Sequence, residues 1–241
     1  MAAIRLQVAL ARAGVASRRK AAEIIEAGLV TVNGVVVTER GYRVNVPEDA
    51  ISFDGKAIFS EGKKVYYVLN KPARVLSTAR DERGRKTVLD FVENINVRLY
   101  PVGRLDMETT GLMILTNDGS LTYRLTHPKF EIDRVYKVKI RGVFEHDKAE
   151  RLKRGVVIEG KTARAEEIVF LKKAEGFTIL SLTLREGRKR EVRRMFETIG
   201  HRVTELKRIA YGPLKLGGLK EGKVRELSKV ELKKLKDCVG L

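Results

Sequence analysis

The segment from Gly103 to Gly119, GRLDMETTGLMILTNDG, constrains the fold of this chain more than any other stretch. Its second half is a short apolar run over residues 112–116, closed by Asn-Asp-Gly, which is typical of a buried strand entering a tight turn. A polar loop between Gly103 and Gly111 comes first. Glycines at both ends allow backbone angles that are closed to other residues and let a ligand approach the loop closely.

The aspartate of this loop has two interpretations. Asp106 stands two residues after Arg104 and close to the hydroxyl groups of Thr109 and Thr110, so it is a candidate catalytic carboxylate. With equal weight, Asp106 is a loop cap that accepts hydrogen bonds from nearby amides, with Arg104 as its surface partner. The residues by themselves leave both interpretations open.

Length and composition indicate a soluble globular protein. The chain has 241 residues, of which 43% are hydrophobic and 33% charged, enough for one or two domains with their own cores. No apolar run approaches the ~20 residues that cross a bilayer, and basic residues interrupt the first thirty positions where a signal peptide would lie. A single cysteine, Cys238, excludes an intramolecular disulfide framework and favours a reducing compartment. We therefore expect the cytoplasm.

The charge of the chain indicates a polyanionic partner. The formal net charge is +18. Residues 1–60 hold 8 Lys and Arg against 6 Asp and Glu, whereas residues 61–241 hold 41 against 25. Because the sequence shows neither a basic amphipathic anchor helix nor a lipidation motif, a nucleic acid is favoured over a membrane surface.

The first sixty residues read as a small α/β module. Apolar spacing predicts a helix from Arg5 to Ala13, and Ser17 is placed to cap a second helix that reaches Ala27. Short strands are predicted over Leu29–Val32, Val35–Thr38, Tyr42–Val46 and Ile51–Phe53, with Asn33-Gly34 as a hairpin turn. The polar residues 61–64 predict a linker. The domains are therefore expected at 1–60 and 65–241.

The larger part combines strands with fewer helices. Strands are predicted over Val65–Leu69, Arg134–Ile140, Ile168–Leu171 and Phe177–Leu184, and the charged residues 79–87 are expected to form a mobile loop. Helices are predicted around Leu121 and Leu125, from Glu191 to about Ile199, and from Ser228 to Lys236. The predicted fold class is α+β.

Three groups of residues resemble known families. Gly103-Arg104-Leu105-Asp106, with residues 110–112 and 116–119, resembles the catalytic motif of the pseudouridine synthases, and more narrowly the branch that acts on bacterial ribosomal RNA. Residues 184–196, LREGRKREVRRMF, match the same family. Residues 13–19 and 28–34 resemble the S-four-type RNA-binding domain. The resemblance spans about residues 4–235 and implies a catalytic domain with a mixed, mainly antiparallel sheet flanked by helices.

The resemblance assigns catalytic roles to three residues. Asp106 would be the catalytic carboxylate, acting at the sugar as nucleophile or base, and Arg193 would pair with it and keep it ionised. Tyr136 would lie against the extruded base and replace its lost stacking; without the resemblance it reads as a core tyrosine.

Further residues are implied at the pocket and on the RNA surface. The pocket residues would be Arg104, Leu105, Thr110, Leu206 and Lys71. Lys71 has an equal alternative as a lysine that packs its stem beside the cleft, and Arg74 stands where the family usually has glycine. The phosphate contacts would be Arg18, Arg19, Lys20, Arg188, Lys189 and Arg190, for which a solvated basic surface is the alternative.

The implied function is isomerisation of a uridine to pseudouridine in ribosomal RNA, with large-subunit RNA favoured over small-subunit RNA. The reaction needs no redox change, energy source or electrophilic metal, so we expect no cofactor and no metal, and a monomer as partner of the RNA. Two other readings stay open. One is a metal-dependent nuclease using Asp106, Glu108 and Asp118 as oxygen ligands; the other is a ribosome-assembly factor without catalysis.

Overall fold

The computed structural model describes residues 3–58, 62–92, 95 and 97–241. Within that range the chain forms two compact units. The first comprises residues up to Val65 together with Ile95–Arg98 and Asn117–Gly119, and the second comprises the remaining residues to Leu241. Of the predicted linker 61–64, residue 61 lies outside the described residues.

The first unit combines two short helices with small antiparallel strands. Strand β1 pairs with β4, and the order β3–β2–β5–β6 forms a four-stranded antiparallel sheet. The elements are β1 (Ile4–Arg5), α1 (Leu6–Arg12), α2 (Arg18–Glu26), β2 (Val30–Val32), β3 (Val35–Val36), β4 (Arg43–Val44), β5 (Ile51–Phe53) and β6 (Lys56–Ala57).

Local sequence explains where these elements begin and turn. Helix α2 starts after Ser17 because the Ser17 hydroxyl oxygen accepts a hydrogen bond from the Lys20 N–H at 3.1 Å. Asn33 and Gly34 both have positive φ, as a tight hairpin turn between β2 and β3 requires. The two predicted helices and the hairpin are confirmed.

The second unit is built on one large sheet. Two short 3₁₀ helices, Val88–Phe91 and Pro128–Phe130, lie between its regular elements. Those elements are β7 (Tyr66–Lys71), β8 (Tyr100–Pro101), β9 (Thr110–Thr116), α3 (Gly119–Thr126), β10 (Arg134–Arg141), α4 (His146–Arg154), β11 (Val156–Ile158), β12 (Lys161–Ala163), β13 (Glu167–Ala174), β14 (Phe177–Leu184), α5 (Glu191–Thr198), β15 (Val203–Tyr211), β16 (Leu214–Lys215), β17 (Val224–Glu226) and α6 (Lys229–Asp237).

The strand order of the large sheet is β13–β14–β10–β15–β9–β7–β17. Neighbouring strands run antiparallel except β15 and β9, which are parallel. Strands β8 and β16 add to β9 and β15. This mixed, mainly antiparallel sheet with flanking helices confirms the expected α+β class.

Strand β9 is apolar on both faces because two cores meet at it. Met113 and Leu115 belong to the core that includes α5, whereas Leu112 and Ile114 belong to the core that includes α3 and α6. All four side chains are fully buried, and each such burial stabilises the fold by about 1.5–3 kcal/mol. Double burial therefore accounts for the continuous apolar run in the sequence.

The predicted helices are confirmed, and one helix was missed. Helix α5 buries Val192, Met195 and Phe196, and α6 begins at a capping box formed by Ser228 and Glu231. Helix α4 was not predicted. Its sequence, HDKAERLKR, buries only Ala149 and Leu152, which is too sparse an apolar pattern to indicate a helix.

The parallel contact between β9 and β15 generates a prediction about Gly111. Its φ is +105°, and a Cβ there would lie 2.2 Å from the carbonyl oxygen of Arg208. We expect Gly111→Ala to lower the free energy of unfolding by about 3 kcal/mol, from overpacking and an unfavourable backbone together. Urea unfolding measures it.

Gly142→Ala is the matched control, because Gly142 has φ +84° but nothing within 4 Å of an added Cβ. It should lose only the conformational part, roughly 1 kcal/mol. Equal losses at the two positions would show that the close approach of β9 to β15 does not constrain residue 111.

Candidate active site

The loop before β9 opens into a basic cleft of the second unit. A narrow cavity of about 50 Å³ lies at Asp106 and is also lined by Thr109, Tyr136 and Leu206. Two larger cavities, of about 460 and 500 Å³, adjoin it and share Arg104 and Arg188 with it. The loop 185–190 between β14 and α5 borders all three.

Asp106 is half-buried, and among the described residues its carboxylate has no hydrogen-bond or ion-pair partner. Its carbonyl oxygen accepts a hydrogen bond from the Thr109 N–H at 3.0 Å, which closes a turn. Over the described residues, its carboxylate accepts no hydrogen bond and forms no ion pair. The interpretation of Asp106 as a loop cap paired with Arg104 therefore has no contact to support it.

Arg193 lies on α5 and forms no direct contact with Asp106. Its Nη1 donates to the carbonyl oxygen of Val203 at 3.0 Å, and in the described part of the chain it forms no ion pair within 4.0 Å. Burial lowers the pKa of Arg193, as does the charge of Arg190, whereas the charges of Asp106 and Glu108 act in the opposite direction. Arg193 thus lies within electrostatic range of Asp106, but not in the direct pair that the sequence suggested.

Lys71 donates hydrogen bonds to the backbone of the loop that carries Asp106. Its side chain is fully buried, and Nζ donates to the carbonyl oxygens of Pro72 at 2.9 Å, Met107 at 3.2 Å and Thr109 at 2.9 Å. All three ammonium protons are therefore used on backbone, which makes Lys71 a support of the loop. Burial lowers the pKa of Lys71 to about 8, although the charges of Glu108, Asp106 and Glu221 favour its ammonium form.

Arg74 contacts the same loop from a left-handed backbone. Its φ is +62°, and its N–H donates to the carbonyl oxygen of Met107 at 2.8 Å. A left-handed residue here suits glycine better than any other residue. This backbone angle is consistent with the glycine that the family resemblance implies at this position, and the close backbone approach is present here with Arg74.

The Ser77 hydroxyl group forms hydrogen bonds with both backbone groups of Leu105, the residue before Asp106. The Ser77 hydroxyl donates to the Leu105 carbonyl oxygen at 2.7 Å, and its oxygen accepts from the Leu105 N–H at 3.1 Å. The two bonds fix both backbone groups of Leu105, whose carbonyl belongs to the peptide bond that leads to Asp106. Ser77 was missed in the sequence, because a serine in a segment separated from the loop by 28 residues shows no local pattern.

Of the other predicted pocket residues, all but Thr110 line the narrow cavity. Tyr136 on β10 and Leu206 on β15 are buried and line the narrow cavity with Leu105. Arg104 is exposed and borders all three cavities. Thr110 begins β9 and lines none of these three cavities.

The predicted phosphate contacts lie in both units. Arg188 borders all three cavities, Lys189 borders the 500 Å³ cavity, and Arg190 borders the narrow one. In the first unit Arg18, Arg19 and Lys20 are exposed on the first turn of α2, and Lys20 pairs with Glu23 at 2.9 Å.

Two buried polar atoms without a hydrogen-bond partner lie at this cleft. In the described ranges four buried side-chain atoms lack such a partner: Asn70 Oδ1, Thr109 Oγ1, Arg188 Nη1 and Arg193 Nε. Thr109 and Arg188 line the narrow cavity. Since buried polar groups are almost always satisfied, the unpartnered atoms of Thr109 and Arg188 indicate a ligand site. Thr109 was not among the predicted pocket residues.

The described residues hold neither a cluster of metal ligands nor a membrane-spanning helix. Among the described residues, no three His, Cys, Asp or Glu side chains are arranged to hold a metal ion, so the nuclease reading has no ligand set there. In the same residues, no helix is long and apolar enough to cross a membrane.

Comparisons with known proteins identify the family of this chain. The family model described as RNA pseudouridylate synthase matches residues 65–198, and that of the S4 domain matches residues 4–51. Ribosomal large subunit pseudouridine synthase B of Bacillus subtilis is 49% identical over 96% of this chain and 95% of its own. The Salmonella typhimurium protein of the same name is 40% identical over 98% of this chain and 84% of its own.

A solved structure extends the likeness to three dimensions. A crystal structure of a pseudouridylate synthase superposes with a TM-score of 0.68 at 29% identity, covering 96% of this chain and 99% of the other. Fold and site thus define an RNA-modifying isomerase. The chain belongs to the RNA pseudouridylate synthase family and carries an S4 RNA-binding domain near its N-terminus.

The buried ammonium of Lys71 makes stability depend on pH. Between about pH 8 and pH 10.5 the unfolded chain keeps a proton on Lys71 that the folded chain has released. The contribution of this group to the free energy of unfolding therefore rises with pH across that window, by up to about 3 kcal/mol.

Lys71→Met should remove this pH-dependent contribution and take the lysine donor from the carbonyl oxygens of Pro72 and Thr109, whereas the Met107 carbonyl keeps the Arg74 N–H. We expect a cost of roughly 2–4 kcal/mol at pH 8. Denaturant unfolding of both proteins at pH 8 and pH 10 measures the difference, and the gap between wild type and variant should widen at the higher pH. An unchanged gap would show that Lys71 keeps an ordinary pKa in the folded protein.

The Ser77 contacts predict a catalytic effect without loss of the fold. We expect Ser77→Ala to lower the single-turnover rate constant about 10- to 100-fold, because Leu105, the residue before Asp106, loses both of its hydrogen bonds to Ser77. Thr204→Ala is the control, since the Thr204 hydroxyl donates only to the Lys139 carbonyl oxygen, in a hydrogen bond that is exposed to solvent. The rate of pseudouridine formation under single-turnover conditions is measured for both variants. A Ser77→Ala rate equal to that of Thr204→Ala would show that the Ser77 hydrogen bonds do not position Asp106.

Proposed function

We propose that this protein converts a specific uridine of large-subunit ribosomal RNA to pseudouridine, with Asp106 as the catalytic carboxylate. One observation supports this most strongly: an unpaired carboxylate lines a narrow cavity together with Thr109 and Arg188, each of which has a buried polar atom without a hydrogen-bond partner. An RNA nucleotide supplies both hydrogen-bonding groups and negative charge to such a site.

The chemistry follows from what each side chain offers. The N1–C1′ bond of uridine breaks, the uracil turns, and a C5–C1′ bond forms; the proton leaves C5 and one is gained at N1, so nothing is oxidised. Asp106 acts at the sugar, as nucleophile or as base. Tyr136 and Leu206 give the extruded base an apolar surface, and Arg193 stabilises the Asp106 carboxylate through its charge.

The polar atoms without partners suggest further contacts in this proposal. Thr109 Oγ1, Arg188 Nη1 and Arg193 Nε are available to bind the uracil, its ribose or the adjacent phosphates. Arg104 fills the place vacated by the extruded nucleotide. Lys71 and Ser77 hold the loop in place.

The RNA partner and the domain roles are part of the same proposal. The relatives named for the large subunit support that RNA over the small-subunit alternative. We propose domain boundaries at 1–60, 61–64 and 65–241, with Arg18, Arg19, Lys20, Arg188, Lys189 and Arg190 on phosphates. The protein would act as a monomer in the cytoplasm, where its RNA is made.

The decisive experiment uses a strain that lacks this protein. Pseudouridines are mapped in both ribosomal RNAs after wild type or Asp106→Asn is restored. We expect one large-subunit site to return with wild type and to stay absent with Asp106→Asn, because the amide can neither attack nor accept a proton.

Glu108→Gln is the matched control, an exposed acid of the same loop. Glu108→Gln should restore the pseudouridine. A metal-dependent activity that uses Glu108 as a ligand would instead be lost in this variant, and in the purified protein it would be lost with a chelator. Return of the site with Asp106→Asn would overturn the catalytic assignment. If the deletion strain lacks no pseudouridine, the result would favour the hypothesis of a ribosome-assembly factor without catalysis.

A further inference from the structure

An exposed aromatic cluster lies at the edge of the cleft. It consists of Tyr123 on α3, His127 and Phe130. The Tyr123 ring centroid lies 5.0 Å from that of His127 and 6.0 Å from that of Phe130. Tyr123 remains 50% exposed, and His127 is exposed as well. The cluster thus presents ring surface to solvent in a chain with few aromatic residues.

Cations accompany these rings. Lys129 Nζ lies 5.6 Å from the Tyr123 ring centroid and 4.9 Å from that of Phe130, and the Arg124 guanidinium lies 5.7 Å from Phe130. Arg124 also donates to the carbonyl oxygens of Val239 and Gly240, which anchors it. Exposed rings interleaved with lysine and arginine form the surface on which single-stranded nucleic acid stacks its bases.

The cluster is continuous with the proposed RNA cleft. Thr126 and Pro128, which lie between Tyr123 and Phe130 in the chain, line the 460 Å³ cavity together with Arg104, Tyr136 and Arg188. The same cavity is bordered by Lys161 and Arg185, so a phosphate backbone that passes over it meets positive charge. The segment that carries the cluster therefore also forms part of the wall of this cavity.

We infer that Tyr123, with His127 and Lys129, forms a stacking site for an unpaired nucleobase of the RNA that flanks the target uridine. The inference rests on the proposed function. Tyr123 supplies a ring face, which any base can stack on, and Lys129 supplies charge to the neighbouring phosphate. The site would favour targets whose neighbouring nucleotides are unpaired, which gives it a part in choosing the substrate.

The test uses the RNA fragment that contains the target uridine once mapping has located it. Binding is measured in the full-length Asp106→Asn protein, which keeps the substrate intact, and 2-aminopurine replaces each unpaired flanking base in turn. At one position we expect its fluorescence to be quenched, and Tyr123→Leu should restore it. Tyr123→Leu should also weaken binding roughly 5- to 150-fold, the range for stacking of one base on a side chain.

Matched variants separate stacking from simple apolar contact and from charge. Tyr123→Phe keeps the ring and should keep both affinity and quenching, whereas Tyr123→Leu keeps only apolar volume. Lys129→Ala should lower the salt dependence of binding by about one ion, and Lys153→Ala, on the exposed side of α4, should leave it unchanged. The midpoint of thermal unfolding checks that each variant is folded.

The outcomes distinguish this inference from the proposed function. If wild type forms pseudouridine but Tyr123→Leu binds and quenches like wild type, the stacking site is wrong and the catalytic proposal stands. If wild type forms no pseudouridine anywhere, the proposed function fails first. Equal loss with Tyr123→Phe and Tyr123→Leu would also overturn stacking, because the phenol oxygen would then carry the effect.

Discussion

The site depends on one buried ammonium group. Lys71 Nζ makes three hydrogen bonds to backbone carbonyl oxygens, two of them in the turn that follows Asp106. Burial of a lysine is costly, as its lowered pKa shows, and hydrogen bonds to all three protons offset that cost. The loop cannot shift without leaving this charge unsatisfied in a buried place. Asp106 is therefore presented by a rigid turn, with its carboxylate free of local partners.

The sheet brings the remaining groups to this turn. Strand β9 is flanked by β7, which carries Lys71, and by β15, which carries Leu206. The contact between β9 and β15 is the parallel one in the main strand order and is close enough to require glycine at position 111. Tyr136 arrives on β10, the next strand along. Backbone pairing thus sets the width of the narrow cavity, and the arginines of the loop 185–190 give it positive charge.

Local patterns in the sequence were sufficient for most elements. Helix α2 was predicted by its Ser17 cap and α5 by its apolar face, and both were confirmed because short-range hydrogen bonding and periodic burial decide them. Helix α4 was missed, since only two of its residues are buried. The three roles at Asp106, Tyr136 and Arg193 came from resemblance to a family, and spacing alone left Asp106 with two interpretations.

The sequence by itself determined the class of the protein, because its charge, its order-specific motifs and its apolar spacing are properties of neighbouring residues. Only the tertiary structure decided that Lys71 supports the loop, that Ser77 clamps Leu105, and that Arg193 stands near Asp106 without touching it. Those facts depend on backbone groups that are far apart in the chain and meet only when the strands pair. Every residue type carries the same backbone carbonyl, so no sequence pattern indicates which carbonyl accepts a hydrogen bond from a distant side chain.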